Sequence, residues 1–420
     1  GSGILKFLVL TVIAFAAAAN EHNQEPVQQA DAVPGEYIVR LKANMLSMSS
    51  SELSQALGAY IKSTIPSMNI VVVKRPVFET LNSAVQTLAQ NELVDIAEPN
   101  YLYKANRLPD DPMMLQLWGL RNIGQKDSTG KAGVAGTDIS MEQAWDIETG
   151  SDKMLVAVID TGVDFSHPDL VDNLWTNEAE LNGKVGIDDD NNGVVDDIHG
   201  YNAITGKGNA QDDQGHGSHC AGTIGAKGND GKGIVGVNWN VSIMACKFLN
   251  ASGSGSIGDA IDCLDYVKIM KDRGVNIVAT SNSWGGGGFS QALFDAIDAL
   301  RQRGILFIAA AGNDSGDNDT DPHYPSNYDL PNVVSVAATT RNDALASFSN
   351  FGRRTVHVGA PGSEILSTTR GNTYKIFSGT SMATPHVTGV AALLKAQDSG
   401  RDWRAIKNLI LAGGDNIPSM

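Results

Sequence analysis

A chain of 420 residues with 42% hydrophobic side chains can bury a sizeable core, and its length calls for about two or three units. Its 45 glycines and scarce aromatics suit a large α/β enzyme better than a helical or fibrous protein, and most of it does not read as disordered. A formal charge of -16 argues against nucleic acid as a partner, because phosphate binding needs clustered Lys and Arg; the acidic excess points to solubility or metal ligation.

In chain order, residues 4–19 form an apolar run of signal-peptide core length that ends in an Ala-x-Ala pattern before Asn20, so residues 1–19 read as a secretory signal. The run is at the short end for a bilayer span, which needs roughly 20 apolar residues, so a permanent membrane anchor is the weaker alternative; no later segment could cross a membrane, and a protein released outside the cell or into a periplasm is expected. Gly1-Ser2, with no initiator Met, is consistent with a cloning scar. Residues 20–35 are polar, Gln-rich and read as a linker. From residue 36 to 106 the pattern predicts a small α+β domain: strand 37–41, helix 51–62, strand 69–74, helix 81–91 and strand 94–96. Its ends, PGEYIVRLK and VDIAEPNYLYKAN, resemble the inhibitor-like propeptide of subtilases.

Residues 107–420 alternate strands and helices. Apolar runs at 154–159, 241–249, 276–283, 305–311 and 332–338 predict buried parallel strands, and helical patterns fall at about 258–272, 290–302 and 383–396. The fold class is α/β, a doubly wound parallel sheet preceded by the small α+β domain. Such sheets carry their sites at the carboxyl ends of the strands. There is no internal repeat.

Three segments in this region carry candidate chemistry. VAVIDTGVDFSHPDL puts Asp160 at a strand's carboxyl end; DDQGHGSHCAGTIGA sets His216 between glycines; FSGTSMATPHVTGVAALL starts a helix at Ser381, with Pro385 placed in the first turn. Singly, each has an ordinary reading: a turn-capping Asp, a loop His, an N-cap Ser. Together, in the order Asp, His, Ser, they resemble subtilase motifs nearly letter for letter. The closest flavour is thermitase or proteinase K, because Cys220 lies four residues after the His. Ser218 stands where Thr is commoner, keeping the hydroxyl. The order and the G-T-S-M-A segment exclude an α/β-hydrolase. The resemblance implies that Ser381 is the nucleophile, His216 its base and Asp160 the orienting acid, with Asn313 of FIAAAGNDS donating to the oxyanion. It also implies that Ser252, Gly253 and Ser254 on one side and Ser283, Trp284 and Gly285 on the other pair with the backbone of an extended protein or peptide substrate, giving broad specificity. The pocket for the residue before the cut is expected between Ser283–Gly285 and Ala310–Gly312, Ala311 and Gly312 included. It should favour large apolar side chains, with Asp314 at its rim admitting Lys or Arg.

The loop IDDDNNGVVDD places Asp188, Asp190, Asn192 and Asp196 at positions 1, 3, 5 and 9 of an EF-hand-like spacing, with Gly193 at 6 and the Val194 carbonyl at 7. Hard oxygen donors imply Ca2+; a solvated acidic turn is the alternative. The subtilase resemblance implies a second calcium site from Asp111, Asp169 and Asp230 with the carbonyls of Lys227, Lys232 and Ile234. A third family cation site is not expected, because His357 stands where it needs a carboxylate. Of the three cysteines, Cys220 is implied by resemblance to be a buried thiol, whereas Cys246 and Cys263 read most simply as core residues. The reading is a monomeric, secreted, calcium-stabilised serine endopeptidase made as a self-processing zymogen inhibited by its own propeptide, in a chain expected to continue past Met420. A catalytically silent subtilase-like binding scaffold is the alternative, and residues 20–106 could instead serve as a dedicated inhibitor domain.

Overall fold

In the N-terminal region, alternation of apolar residues along each strand builds a one-sided sheet. Strands β1 (Ala32–Leu41), β2 (Tyr60–Ile65), β3 (Ile70–Lys74) and β4 (Val94–Tyr101) pair antiparallel in the order β2-β3-β1-β4, with helices α1 (Ser50–Leu57) and α2 (Leu81–Ala89) between them. Tyr37, Val39 and Leu41 of β1 and Val71 and Val73 of β3 bury one face against Leu53, Leu57, Ala84 and Leu88 of the helices. The computed structural model describes residues 3–5, 32–42, 48–77, 80–102 and 108–416. It divides into two compact units, one of residues 10–105 and the other of residues 1–9 and 106–420.

Two expectations for this domain need correction. Helix α1 was expected to reach Lys62 but ends at Leu57, because Gly58 takes the left-handed conformation (φ 59°) and donates its N–H to the Ser54 and Gln55 carbonyls. The residues after it, Tyr60–Ile65, form a strand on β3 that the sequence reading missed. Residues 32–35, assigned to the linker, already pair in β1, where Ala32 lies opposite Tyr101.

In the larger unit, β5 (Gly150–Asp160), β6 (Gly200–Asn202), β7 (Asn240–Lys247), β8 (Ile277–Asn282), β9 (Leu306–Ala310), β10 (Val333–Thr339) and β11 (Val358–Pro361) run parallel in the order β11-β10-β9-β8-β5-β7-β6. The five predicted strands are present. Beyond β11 lie two short edge strands: Gly3–Leu5, parallel to β11, and Gly414–Asn416, antiparallel to Gly3–Leu5. Residues 6–19 of the expected signal lie outside the described residues.

Helices α3 (His216–Gly225), α4 (Ile257–Asp272), α5 (Gln291–Gln302), α6 (Thr380–Gln397) and α7 (Trp403–Ala412) cover both faces, with the hairpin of β12 (Ile365–Thr369) and β13 (Thr373–Phe377) leading into α6. The double winding is visible within β5. Val156 and Val158 join Ala221 and Ile224 of α3 and Val387 and Val390 of α6, whereas Leu155, Ala157 and Ile159 join Val267 of α4 and Ile297 of α5. A strand buried on both faces must be apolar throughout, which is why VAVI carries no alternation.

The cysteine reading is also corrected. Cys246 at the end of β7 and Cys263 in α4 form a disulfide with a Cα–Cα distance of 5.8 Å, and Cys220 is free and buried. Burial alone does not separate a thiol from a half-cystine, so the pairing was not legible. The bridge spans 17 positions and encloses residues 250–256. Constraining a loop of that length in the unfolded chain contributes about 3 kcal/mol. The Cys246→Ala/Cys263→Ala variant is therefore expected to lose about that much stability in denaturant melts, and reductant should shift the wild type's melt but not the variant's.

Candidate active site

Asp160 ends β5, the strand at which the sheet order reverses, and its side chain is fully buried. Its Oδ1 accepts the Thr161 N–H at 2.7 Å, and His216 Nδ1 lies 2.8 Å from Oδ1 and 3.0 Å from Oδ2. A carboxylate can only accept, so Nδ1 carries the proton and Nε2 keeps its lone pair.

The turn that carries His216 is folded around Asp212, a residue the sequence reading passed over. Asp212 accepts from Gln214 N–H (2.9 Å), Gly215 N–H (2.8 Å), Ser218 N–H (3.0 Å), Ser218 Oγ (2.6 Å) and Thr161 Oγ1 (2.9 Å). Thr161 Oγ1 in turn accepts the Gly217 N–H at 2.9 Å, tying the acid's turn to the base's helix. Gly215 caps α3 at φ 115°, a conformation open to glycine. Ser218 keeps a hydroxyl bonded to Asp212, so the substitution for Thr preserves the network.

Ser381 is the second residue of α6. Pro385 was expected in the first turn, but the helix begins at Thr380 and the proline sits in its second turn. There its missing N–H leaves the Ser381 carbonyl without its intrahelical donor. Ser283 Oγ fills that place at 2.9 Å, with Cys220 Sγ at 3.5 Å, while Ser381 Oγ donates to the Ser283 carbonyl at 3.1 Å rather than to His216. Catalytic hydrogen bonds often tighten only when substrate is bound.

The Asn313 amide is oriented from its oxygen end. Thr380 donates to Oδ1 through its N–H at 2.8 Å and its hydroxyl at 2.9 Å, so the Asn313 NH2 group points away from the helix and remains exposed. The Ser381 N–H lies in the first turn, where N–H groups lack intrahelical partners. The Asn313 NH2 group and the Ser381 N–H are thus two donors at this end of the helix.

Burial opposes protonation of His216, but the charge and hydrogen bond of Asp160, with Asp212 behind, outweigh it and raise the pKa above its ordinary 6.5. Cys220 is held well above the usual thiol range by burial and the nearby Asp160 charge, which keeps it in the less reactive thiol form. An open cleft of about 590 Å³ runs from His216 along residues 252–256 and 283–288. Ser252, Gly253, Ser254, Ser283, Trp284 and Gly285 all line it, whereas Ala311 and Gly312 are buried and Asp314 is exposed, its N–H bonded to Asn350 Oδ1 at 2.8 Å.

The acidic loops show two places suited to a cation. Asp111 and Asp169 each bury one carboxylate oxygen, Oδ1, with no hydrogen-bond partner, while Oδ2 accepts the Asn229 and Ile234 N–H groups respectively, both at 2.8 Å. Burial raises the pKa of both, Asp111 to about 6. A hard cation is what two orphaned anionic oxygens call for, so these residues fit calcium. Lys227 and Lys232 flank them, and Asp230 pairs with Lys232 Nζ at 3.0 Å. The second place is Glu180, Asp190 and Asp197, whose oxygens lie within 4.8 Å of one another. Only Asp190 among these was expected. Asp188 instead caps the Asn192 and Gly193 N–H groups, and Asp196 accepts from the Gly186 N–H. Asn192 donates its amide to Asp197, and its Oδ1 accepts the Val194 N–H. Glu180 lies in a short helix upstream, too far in sequence for a loop spacing to reveal.

A doubly wound sheet whose strand ends bring together a Ser, a His–Asp pair and two oxyanion donors defines a serine peptidase domain of subtilisin type. The chain belongs to the subtilase family, whose model matches residues 151–414, and the fervidolysin N-terminal prodomain matches residues 18–100. It is 34% identical over 387 residues to a thermophilic serine proteinase of Bacillus sp. (strain AK1), covering 92% of this chain and 83% of that protein. It is 35% identical over 285 residues to subtilisin-like protease 1 of Plasmodium falciparum (isolate 3D7), covering 63% of this chain and only 40% of that relative's length. Among solved structures, a cold-adapted subtilisin-like serine proteinase matches with TM-score 0.53 at 31% identity, over 70% of this chain and 89% of that one. Proteases from Pseudoalteromonas arctica PAMC 21717 match with TM-score 0.57 at 27% identity, over 73% and 92%.

Two outcomes follow for this site. Activity requires neutral His216, so kcat/KM should rise with pH through a midpoint above 6.5, and Asp160→Asn should lower that midpoint while reducing kcat about 10⁴-fold. Thr380→Val removes one of the two hydrogen bonds that orient Asn313 Oδ1 and keeps the one from the backbone N–H, so it should lower kcat by clearly less than the ~100-fold that losing an oxyanion donor costs, with KM little changed.

Proposed function

We propose that the chain is a secreted serine endopeptidase, made as a self-processing zymogen and stabilised by calcium. The observation that carries this reading is the Asp160–His216 pair set at the end of the central strand, beside Ser381 and the oriented Asn313 amide. His216 Nε2 takes the Ser381 proton as Oγ bonds to the scissile carbonyl carbon. The carbonyl oxygen gains the negative charge, and Asn313 Nδ2 and the Ser381 N–H stabilise it. The imidazolium then protonates the leaving amine as the C–N bond breaks, leaving an acyl-enzyme. Water, deprotonated by His216, releases the acid and restores Ser381. Asp160 holds the tautomer throughout and stays ionised.

The exposed residues 252–256 and 285–288, flanking half-buried Trp284, support substrate binding by strand addition, which reads backbone first and most side chains little. Secretion rests on the apolar run 4–19. No described helix is long and apolar enough to cross a membrane. Removing Gly3–Leu5 would leave the strands from β11 to β6 paired among themselves, since it lies outside them, between β11 and the edge strand Gly414–Asn416. The charge of -16 supports proteins and peptides, not nucleic acid, as partners, and we read the enzyme as a monomer. Calcium would be held by Asp111, Asp169 and Asp230 with the Lys227, Lys232 and Ile234 carbonyls, and by the loop around Asp190. It would neutralise buried carboxylates and take no part in the chemistry.

The prodomain supports self-inhibition, with cleavage between Tyr103 and Asp110; residues 103–107 lie outside the described residues. Ser381→Ala should accumulate as an uncut precursor on gels and hydrolyse no casein. Maturation of that variant in a protease-free preparation would contradict the reading. Calcium at a hundredfold excess over its Kd should add about 2.7 kcal/mol, so chelator should lower the Tm. Asp169→Asn should remove part of that dependence, and superimposable melts with calcium and chelator would dismiss the ion.

A further inference from the structure

Two backbone runs bound the pocket for the residue before the cut, Ser283–Gly285 and Ala310–Gly312, and each ends in glycine. Paired glycines ordinarily leave an open slot for a large side chain. Here the slot is filled. A Cβ built on Gly285 would lie 2.2 Å from Cε1 and 2.9 Å from Nε2 of His323, and one built on Gly312 would lie 2.9 Å from Cδ2 of the same ring. All three are well inside the ~3.5–4.0 Å optimum for non-bonded carbon contacts, so the imidazole already occupies the space between the two walls.

The ring is fixed from behind. The His323 carbonyl accepts the Ser326 hydroxyl at 2.8 Å and the Asn327 N–H at 2.9 Å, which anchors the backbone. Because the Ser326 proton is committed there, Ser326 Oγ faces His323 Nδ1, 3.4 Å away, as an acceptor. Gly285 and Gly312 grip the opposite edge, and a side chain wedged between two backbones cannot change rotamer without moving one of them. Consistent with a filled slot, the open cleft is lined by Gly285 but by none of Ala311, Gly312 and His323.

We propose that His323 closes the base of this pocket and restricts the residue before the cut to small side chains such as Ala or Ser. The inference rests on the endopeptidase reading above, and it replaces the sequence-based expectation of a pocket for large apolar residues. The reason is steric: a Phe or Leu ring or branch would have to displace an anchored imidazole, whereas a methyl group stops short of it. Specificity for one additional methylene in a pocket is worth about 10- to 200-fold in relative rate.

The test uses the mature enzyme and tetrapeptide p-nitroanilides that differ only in the final residue, Ala, Leu or Phe. Wild type should favour Ala over Phe in kcat/KM by at least about tenfold, and His323→Gly should reverse or abolish that preference. His323→Phe, which keeps the bulk and discards the polarity, should retain it. If His323→Gly fails to melt cooperatively, His323→Ala carries the same comparison. Labelling of Ser381 by a fluorophosphonate separates the two levels of argument. An enzyme that labels and cleaves, yet prefers Phe as wild type or keeps the same Ala/Phe ratio in His323→Gly, overturns the role of His323. One that neither labels nor cleaves overturns the endopeptidase reading and this inference with it.

Discussion

An ionised carboxylate buried at the end of the central strand is the constraint on which the rest of the site depends. Asp160 is removed from water on all sides, and an unpaired charge there would be strongly destabilising. Its oxygens are satisfied by the Thr161 N–H and by His216 Nδ1. The same pairing that makes the burial tolerable fixes the imidazole tautomer and raises its basicity. Stability and catalysis therefore ask for one geometry at this residue. The burial follows from the fold: only a strand covered on both faces delivers its last side chain into a dry place, and β5 is covered by α3 and α6 on one face and α4 and α5 on the other.

The nucleophile is positioned by a defect in a helix. Pro385 interrupts the ladder of α6, and the freed Ser381 carbonyl is claimed by Ser283 Oγ, while Ser381 Oγ reaches the Ser283 carbonyl in return. This reciprocal clasp joins the helix to the segment just after β8, which also lines the cleft. One residue thus ties the reacting serine to the substrate's backbone partner. Lys247, buried at the end of β7, works similarly, donating to the Thr161 carbonyl at 2.8 Å and the Leu249 carbonyl at 2.7 Å while pairing with Asp213. It links the acid's turn to the start of the segment at 250–256, which the Cys246–Cys263 bridge closes from the other side.

Much of this was legible because the informative signals are local. The five buried strands read as apolar runs, and Asp160, His216, Asn313 and Ser381 each sit at an element's end, where a short motif displays them. What escaped was non-local. The pairing of Cys246 with Cys263 depends on how β7 packs on α4. Glu180 meets Asp190 and Asp197 only through the fold of a loop. His323 reaches Gly285 and Gly312 from the far side of an acidic loop, and nothing in the string HYPSN announces it. The short strand Tyr60–Ile65 was lost for a different reason: its apolar residues continue a helical spacing, and only the left-handed Gly58 breaks the helix.

Buried carboxylates also sort themselves by what surrounds them. Asp160 and Asp212 are enclosed by N–H and O–H donors from the protein itself, and both serve the positioning of His216. Asp111 and Asp169 are as deeply buried, yet each keeps one oxygen without a donor, and desolvation raises the pKa of both. A chain can supply such a donor, as it does for their other oxygens: the Asn229 N–H for Asp111, and the Ile234 N–H and Tyr374 hydroxyl for Asp169. The two bare oxygens lie on segments far apart in sequence, which a shared divalent ion would cross-link in the folded state and not in the unfolded one. The charge that makes the chain acidic is therefore unevenly distributed in its consequences: among the buried carboxylates, Asp160 and Asp212 hold a base, whereas Asp111 and Asp169 each keep an oxygen open to a cation.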